Sequence, residues 1–261
     1  MIDRLSAPKQ PKDLMRYPNL LCIALCATSM LAFIACSKSS LPEPATTPTP
    51  AEAVTEATTP VGTVIYTSNG YKLTFTNNAS GFDDATRQKF VNMYFSIYPQ
   101  LLNRFYTGAT KQVTFVIDPN YTGVAYTSGT TVTYSAAWLS SHPQDVDVLT
   151  HEVMHVVQAY TGGTPGWLTE GIADYVRYKY GVNNGPAGWS LPAWSSTQSY
   201  TNSYRVTARF LAWLELHVSS TIITSLNTAL RNQTYTSNTW NQLTGKSVDQ
   251  LWTDYSNSPA L

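Results

Sequence analysis

The sequence predicts an α+β domain, a small mixed sheet followed by a mainly helical C-terminal part. Three observations carry that reading. Between residues 71 and 134, short runs alternate apolar and polar side chains, the period of a half-buried strand. Beyond residue 143, apolar residues recur at helical spacing, punctuated by Pro and Gly. Before residue 61 the composition shifts to Pro, Thr and Ala, which cannot bury a core.

Residues 1–36 read as an export signal ending in a lipobox. The apolar run from Leu20 to Ala35 follows Arg16, with Lys9 and Lys12 further back. It is too short to serve as a permanent membrane span. Ala35 precedes Cys36, the arrangement in which a cysteine is lipidated and becomes the mature N-terminus. Phe33 departs from the usual leucine, and Met15-Arg16 would make a cleaner start. Residues 37–60, with Pro42, Pro44, Pro48, Pro50 and Pro60, read as a disordered tether. Residues 61–261 form the folded domain. The expected location is a bacterial cell surface or periplasm through a lipid anchor, or alternatively the exterior as a secreted form.

Within the domain, Tyr71–Thr76 alternates as a strand. Asp83 to Phe105 is helical, with Phe90, Met93, Tyr94, Tyr98, Leu101 and Leu102 on one face. Gln112–Ile117 is a buried strand closed by Asp118-Pro119-Asn120. Tyr121 to Trp138 reads as a hairpin turning at Ser128-Gly129, and its second strand, Thr131–Tyr134, is expected at the sheet edge. The next helix is expected to open near Pro143, with Asp145 and Asp147 at its positive end, and to stop at Gly162-Gly163. Further helices run from Pro165 to Tyr180 and from Tyr204 to His217. Trp240, Leu243, Leu251 and Trp252 belong to short closing helices.

Lys+Arg and Asp+Glu are equal at 16 each, and the balance holds beyond residue 60, so nothing points to nucleic acid. The 3 cysteines, Cys22, Cys26 and Cys36, all precede the domain. The domain therefore has no disulfide and no thiolate ligand.

The most specific signal is His151-Glu152-Val153-Met154-His155. On a helix, histidines four apart share a face and can reach one ion, while the adjacent glutamate can take a proton from water. The chain has only 4 histidines, and two fall here. A catalytic zinc site needs three protein ligands. Thr161 stands where a metzincin would carry its third histidine, and Gln158 where it would carry glycine. Glu170 and Asp174, four apart in Trp167-Leu168-Thr169-Glu170-Gly171-Ile172-Ala173-Asp174, are the remaining candidates. Glu170 suits the metal, and Asp174 suits the free ring N–H of a ligand histidine. The exchange of these two roles stays open at this point.

The combination HEVMHVVQ, PGWLTEGIADYVRYKYG and SYRVTARFLAWLE resembles the plant and bacterial basic secretory protein family, from about Val64 to Tyr255. The resemblance implies a gluzincin-type, zincin-like metallopeptidase. It implies one zinc ion held by His151, His155 and Glu170, with Glu152 as general base. The family's founding plant members are basic, whereas this domain is neutral.

The reading that follows is hydrolysis of peptide bonds by zinc-activated water. Tyr204 is the first candidate for a hydrogen-bond donor to the oxyanion, with Arg205 and Tyr200 behind it. The region from Gly123 through Ala136 lacks the acid that would hold a substrate amine, which favours an endopeptidase. Thr131–Tyr134 would pair with extended substrate. The expected partner is a protein or peptide substrate, met by a monomer that touches membrane only through its anchor. Two alternatives are a binding protein of weak activity on the same fold and a hydrolase of cell-wall or glycan-linked peptides. Trp189 and Trp194 would serve the second by stacking on sugars.

Overall fold

A computed structural model describes residues 57–261. The export signal, Cys36, Met15 and most of the tether lie outside the described residues. The described chain mixes a five-stranded sheet with eight helices. Among the described residues no helix is long and apolar enough to cross a membrane.

The sheet comprises β1 (Gly62–Ser68), β2 (Tyr71–Asn77), β3 (Gln112–Asp118), β4 (Ala125–Ser128) and β5 (Thr131–Ser135), in the order β1-β2-β3-β5-β4. β2, β3 and β5 run parallel, and the outer strands are antiparallel to their neighbours. One face of the sheet carries Leu73, Phe75, Phe115, Val132 and Tyr134, all buried. It meets α1 (Asp84–Phe105) through edge-to-face rings: Phe90 and Phe115 lie 4.9 and 5.3 Å from Tyr134.

α1 begins where expected because Asp83 caps it, accepting from Thr86 N at 2.7 Å and Ala85 N at 3.3 Å. Burial alone would raise the Asp83 carboxyl, but the hydrogen bonds from Thr86 and Ala85 outweigh it and hold it below its ordinary value. The stability it adds is full above the ordinary carboxylate range and is lost as pH falls through the lowered value. Asp83→Ala is expected to cost ~1 kcal/mol at neutral pH. Urea denaturation at pH 7 and at pH 3 checks this, because the difference between variant and parent should shrink in acid.

Four sequence expectations are corrected here. The edge strand is β4, because β5 inserts between β3 and β4; Thr131–Tyr134 is interior and its side chains are mostly buried. Pro143 and Asp145 do not open a helix, for α3 spans Val148–Gln158; Asp147 does take its N-cap position, but its carboxylate makes no capping bond. Asp147 instead accepts from the backbone of Val182 and Asn183, and Asp145 pairs with Arg177. α3 ends at Gln158 rather than at the glycines, with Ala159 in a left-handed turn at φ 47°. Finally, residues 57–60 belong to the domain: Thr59 is buried and bonds to Phe82 O at 2.7 Å.

The helical half contains α2 (Ala136–Ser141), α4 (Gly166–Tyr180), α5 (Tyr204–His217), α6 (Ile222–Arg231), α7 (Thr239–Thr244) and α8 (Val248–Asn257). α4 and α5 match the expected bounds. They approach closely at Gly171, where any Cβ would run into the Thr207 side chain. α3 lies between the sheet and α4, and that placement builds the site.

Candidate metal centre

Helical spacing on α3 puts His151 and His155 on one face, with their Nε2 atoms 3.2 Å apart. α4 brings Glu170 to the same point: its Oε2 lies 3.2 Å from His151 Nε2 and 3.5 Å from His155 Nε2. One ligand atom from each residue falls within 4.8 Å of the other two. Asp174 is on the opposite side of the first ring, its Oδ1 2.7 Å from His151 Nδ1. Gln158 Oε1 lies 2.7 Å from His155 Nδ1, and Gln158 Nε2 donates to Thr169 O at 2.9 Å. Both Nδ1 atoms thus donate outward, which leaves both Nε2 atoms directed at Glu170.

The electrostatics of the cluster call for positive charge. Burial opposes an imidazolium at His151, but hydrogen bonds to Asp174 and Glu170 outweigh it and push the ring up to about 10. At Glu170, burial is likewise outweighed by the two histidines, which hold the carboxyl well below its usual range. A divalent cation such as zinc would meet that demand in place of the proton, held by the two imidazoles and the Glu170 carboxylate with Asp174 behind.

Glu152 is buried, and the Thr127 hydroxyl on β4 donates to it, 2.7 Å from Oε2 and 3.0 Å from its carbonyl oxygen. Tyr204 stacks over His151 with ring centroids 6.2 Å apart and planes at 16°. It is held there by strained backbone, Ser203 at φ 70° and ψ −179° and Tyr204 at φ 45°. The Glu170 carboxylate, then partial burial, raise the Tyr204 hydroxyl above its ordinary value, so it stays a donor at neutral pH. All these groups line one cleft of about 1160 Å³.

A family model described as "Peptidase of plants and bacteria", the BSP family, matches residues 51–255. The chain belongs to the BSP peptidase family. No curated protein matches it. Among solved structures, a two-domain M1 zinc metallopeptidase, a mutant bound to L-tryptophan, aligns at 15% identity and TM-score 0.42. That alignment covers 76% of this chain and 48% of the other. The M1 zinc metallopeptidase of Deinococcus radiodurans aligns at 14% identity and TM-score 0.36, over 77% of this chain and 48% of that one. The chain spans about half the length of these structures.

In this BSP-family chain the residues singled out in the sequence come together: His151, Glu152, His155, Glu170, Asp174 and Tyr204 share the cleft. Arg205 also lines it, but Tyr200 does not; its hydroxyl donates to Asp249 at 2.8 Å. Trp189 lines the cleft and Trp194 does not. Two residues were missed. Gln158 was read only for what it excluded, although it lies three after His155 on the same helix face. Thr127 carried no sequence signal, because its contact with Glu152 is made across the fold. For this BSP-family chain, Gln158→Leu is expected to lower metal affinity by about 10–100-fold. Competition with a chromophoric chelator reads it, and unchanged affinity would remove Gln158 from the site.

Proposed function

We propose that this BSP-family chain is a zinc-dependent peptidase with a zincin-like fold that cuts within peptide chains. The observation that carries the reading is the convergence of His151, His155 and Glu170 with both histidine Nδ1 atoms already tied. When bound, zinc supplies Lewis acidity toward a water and toward the scissile carbonyl oxygen. His151, His155 and Glu170 hold it, and Asp174 and Gln158 orient the two rings. Thr127 holds Oε2 of Glu152, so Oε1 is the atom that takes a proton from the attacking water. The same carboxyl then gives that proton to the departing amine. The Tyr204 hydroxyl donates to the oxyanion.

Two further features support an endopeptidase. β4, the outer strand, lines the cleft and offers free backbone groups to an extended peptide running past the site. Each carboxylate lining the cleft already has a partner or a role: Asp145 with Arg177, Asp174 and Glu170 with the histidines, and Glu152 as base. None remains to hold a substrate amine. A buried, positioned Glu152 also speaks against a mere binding protein, which has no use for it. The exported location, through lipidation at Cys36 or by secretion, is part of the same proposal.

Elemental analysis of the purified chain, paired with a peptide-library digest, tests the reading. One zinc per chain is expected, with internal cleavage that a chelator stops and added zinc restores. Cleavage indifferent to the chelator, or no stoichiometric metal, would sink it.

A further inference from the structure

One wall of the cleft, beside the donor cluster, is built by Trp138, His142, Asp145, Val148, Arg177 and Trp189. Five of these form a continuous chain of contacts. The Trp138 ring stacks on His142, with centroids 3.8 Å apart and planes at 13°. Its Nε1 donates to Asp145 Oδ2 at 2.9 Å, and Asp145 Oδ1 takes Arg177 at 2.5 Å. The Arg177 guanidinium lies 4.6 Å from the centre of the Trp189 ring. Arg177 Nε also donates to Asn184 at 3.0 Å.

Three properties follow from this chain. First, its charges are closed: Arg177 is only 5% exposed, and both Asp145 oxygens are engaged. A charged side chain entering this chain of contacts would lose water and meet no open charge within it, which is costly, although Arg205 lines the same cleft beyond Trp189, at Ser190 O. Second, the Trp138 indole is fixed by its Nε1 bond and the His142 stack, and the Trp189 ring lies against Arg177, so ring surface is presented ready-made. Third, the position is set by the helices. Val148 stands one turn before His151 on α3, and Arg177 one turn after Asp174 on α4. Arg177 is seven residues after the donor Glu170, so at 1.5 Å rise per residue the wall runs from ~5 to ~10 Å along from the donor cluster, within reach of a side chain flanking the reacting carbonyl.

We infer that this wall is the subsite for a large uncharged side chain, aromatic by preference, on a residue next to the bond that is cut. The inference rests on the peptidase reading and names its substrate class. Trp189 is its specificity-determining residue, because it is partly exposed and lines the cleft, whereas Arg177 and Asp145 keep the wall neutral.

The test is a digest of peptides that differ only in the residues flanking the cut, using the metal-loaded full chain. Phe, Tyr or Leu at one flanking position should be favoured over Ala, Asp and Lys by about 10-fold or more. Trp189→Ala should shrink the Phe-over-Ala ratio by about 10-fold, and Trp189→Phe should keep most of it. A flat profile, a preference for charged residues, or a ratio that folded, metal-loaded Trp189→Ala leaves intact overturns the inference. A second arm needs no turnover: equilibrium binding of N-acetylphenylalaninamide and N-acetylalaninamide to Glu152→Gln. If no peptide is cut but the phenylalanine compound binds tighter and Trp189→Ala removes that difference, the subsite stands and the peptidase reading falls. If N-acetylglucosamine binds better than either amide, the wall is a sugar platform and the inference is wrong.

Discussion

Glu152→Gln is expected to lower kcat/KM on a cleaved peptide by about 100- to 10,000-fold while metal content stays at the parental level. The substitution keeps the size of the side chain and keeps an oxygen to accept from Thr127, so the helix and the strand contact survive. What it removes is the ability to hold and return a proton. Elemental analysis and single-turnover cleavage separate the two effects. Unchanged hydrolysis would end the general-base assignment, and loss of metal would mean that Glu152 builds the centre rather than acts beside it.

Glu170→Ala is expected to do the reverse, removing metal first and activity as a consequence. It leaves two imidazole Nε2 atoms 3.2 Å apart with no anionic donor beside them. Asp174→Ala keeps all three donors and loses only the partner of His151 Nδ1, so it should cost about 10–100-fold in affinity. The Glu170 variant should lose more than that. Chelator competition on both proteins gives the order. If Asp174→Ala were the one that empties the site, the roles of the two acids would be exchanged, the alternative left open by their four-residue spacing.

Much of this centre was legible because its parts are local. His151 and His155, then Glu170 and Asp174, each sit four apart on one helix, and helical period alone aligns them. α1, α4 and α5 were legible for the same reason, with one apolar face and clear ends. β1 was not, since Val64 and Ile65 are both exposed and no alternation marks it. The edge strand was misplaced because the choice between β4 and β5 depends on pairing with β3, a contact distant in sequence. The start of α3 was misread because Asp145 and Asp147 serve partners more than thirty residues away, Arg177, Val182 and Asn183. Acids near a helix start suit the dipole, but here tertiary partners claim them.

The donors come from two helices joined by residues 159–165, where Ala159, Gly162 and Gly163 all have positive φ. The Asp174–His151 and Gln158–Thr169 bonds already tie these helices across that connection, and a cation held by donors from both would be one more tie. Loading the site would thus stiffen the stretch around the glycine pair, and limited proteolysis with and without zinc would read that as slower cutting between residues 159 and 165.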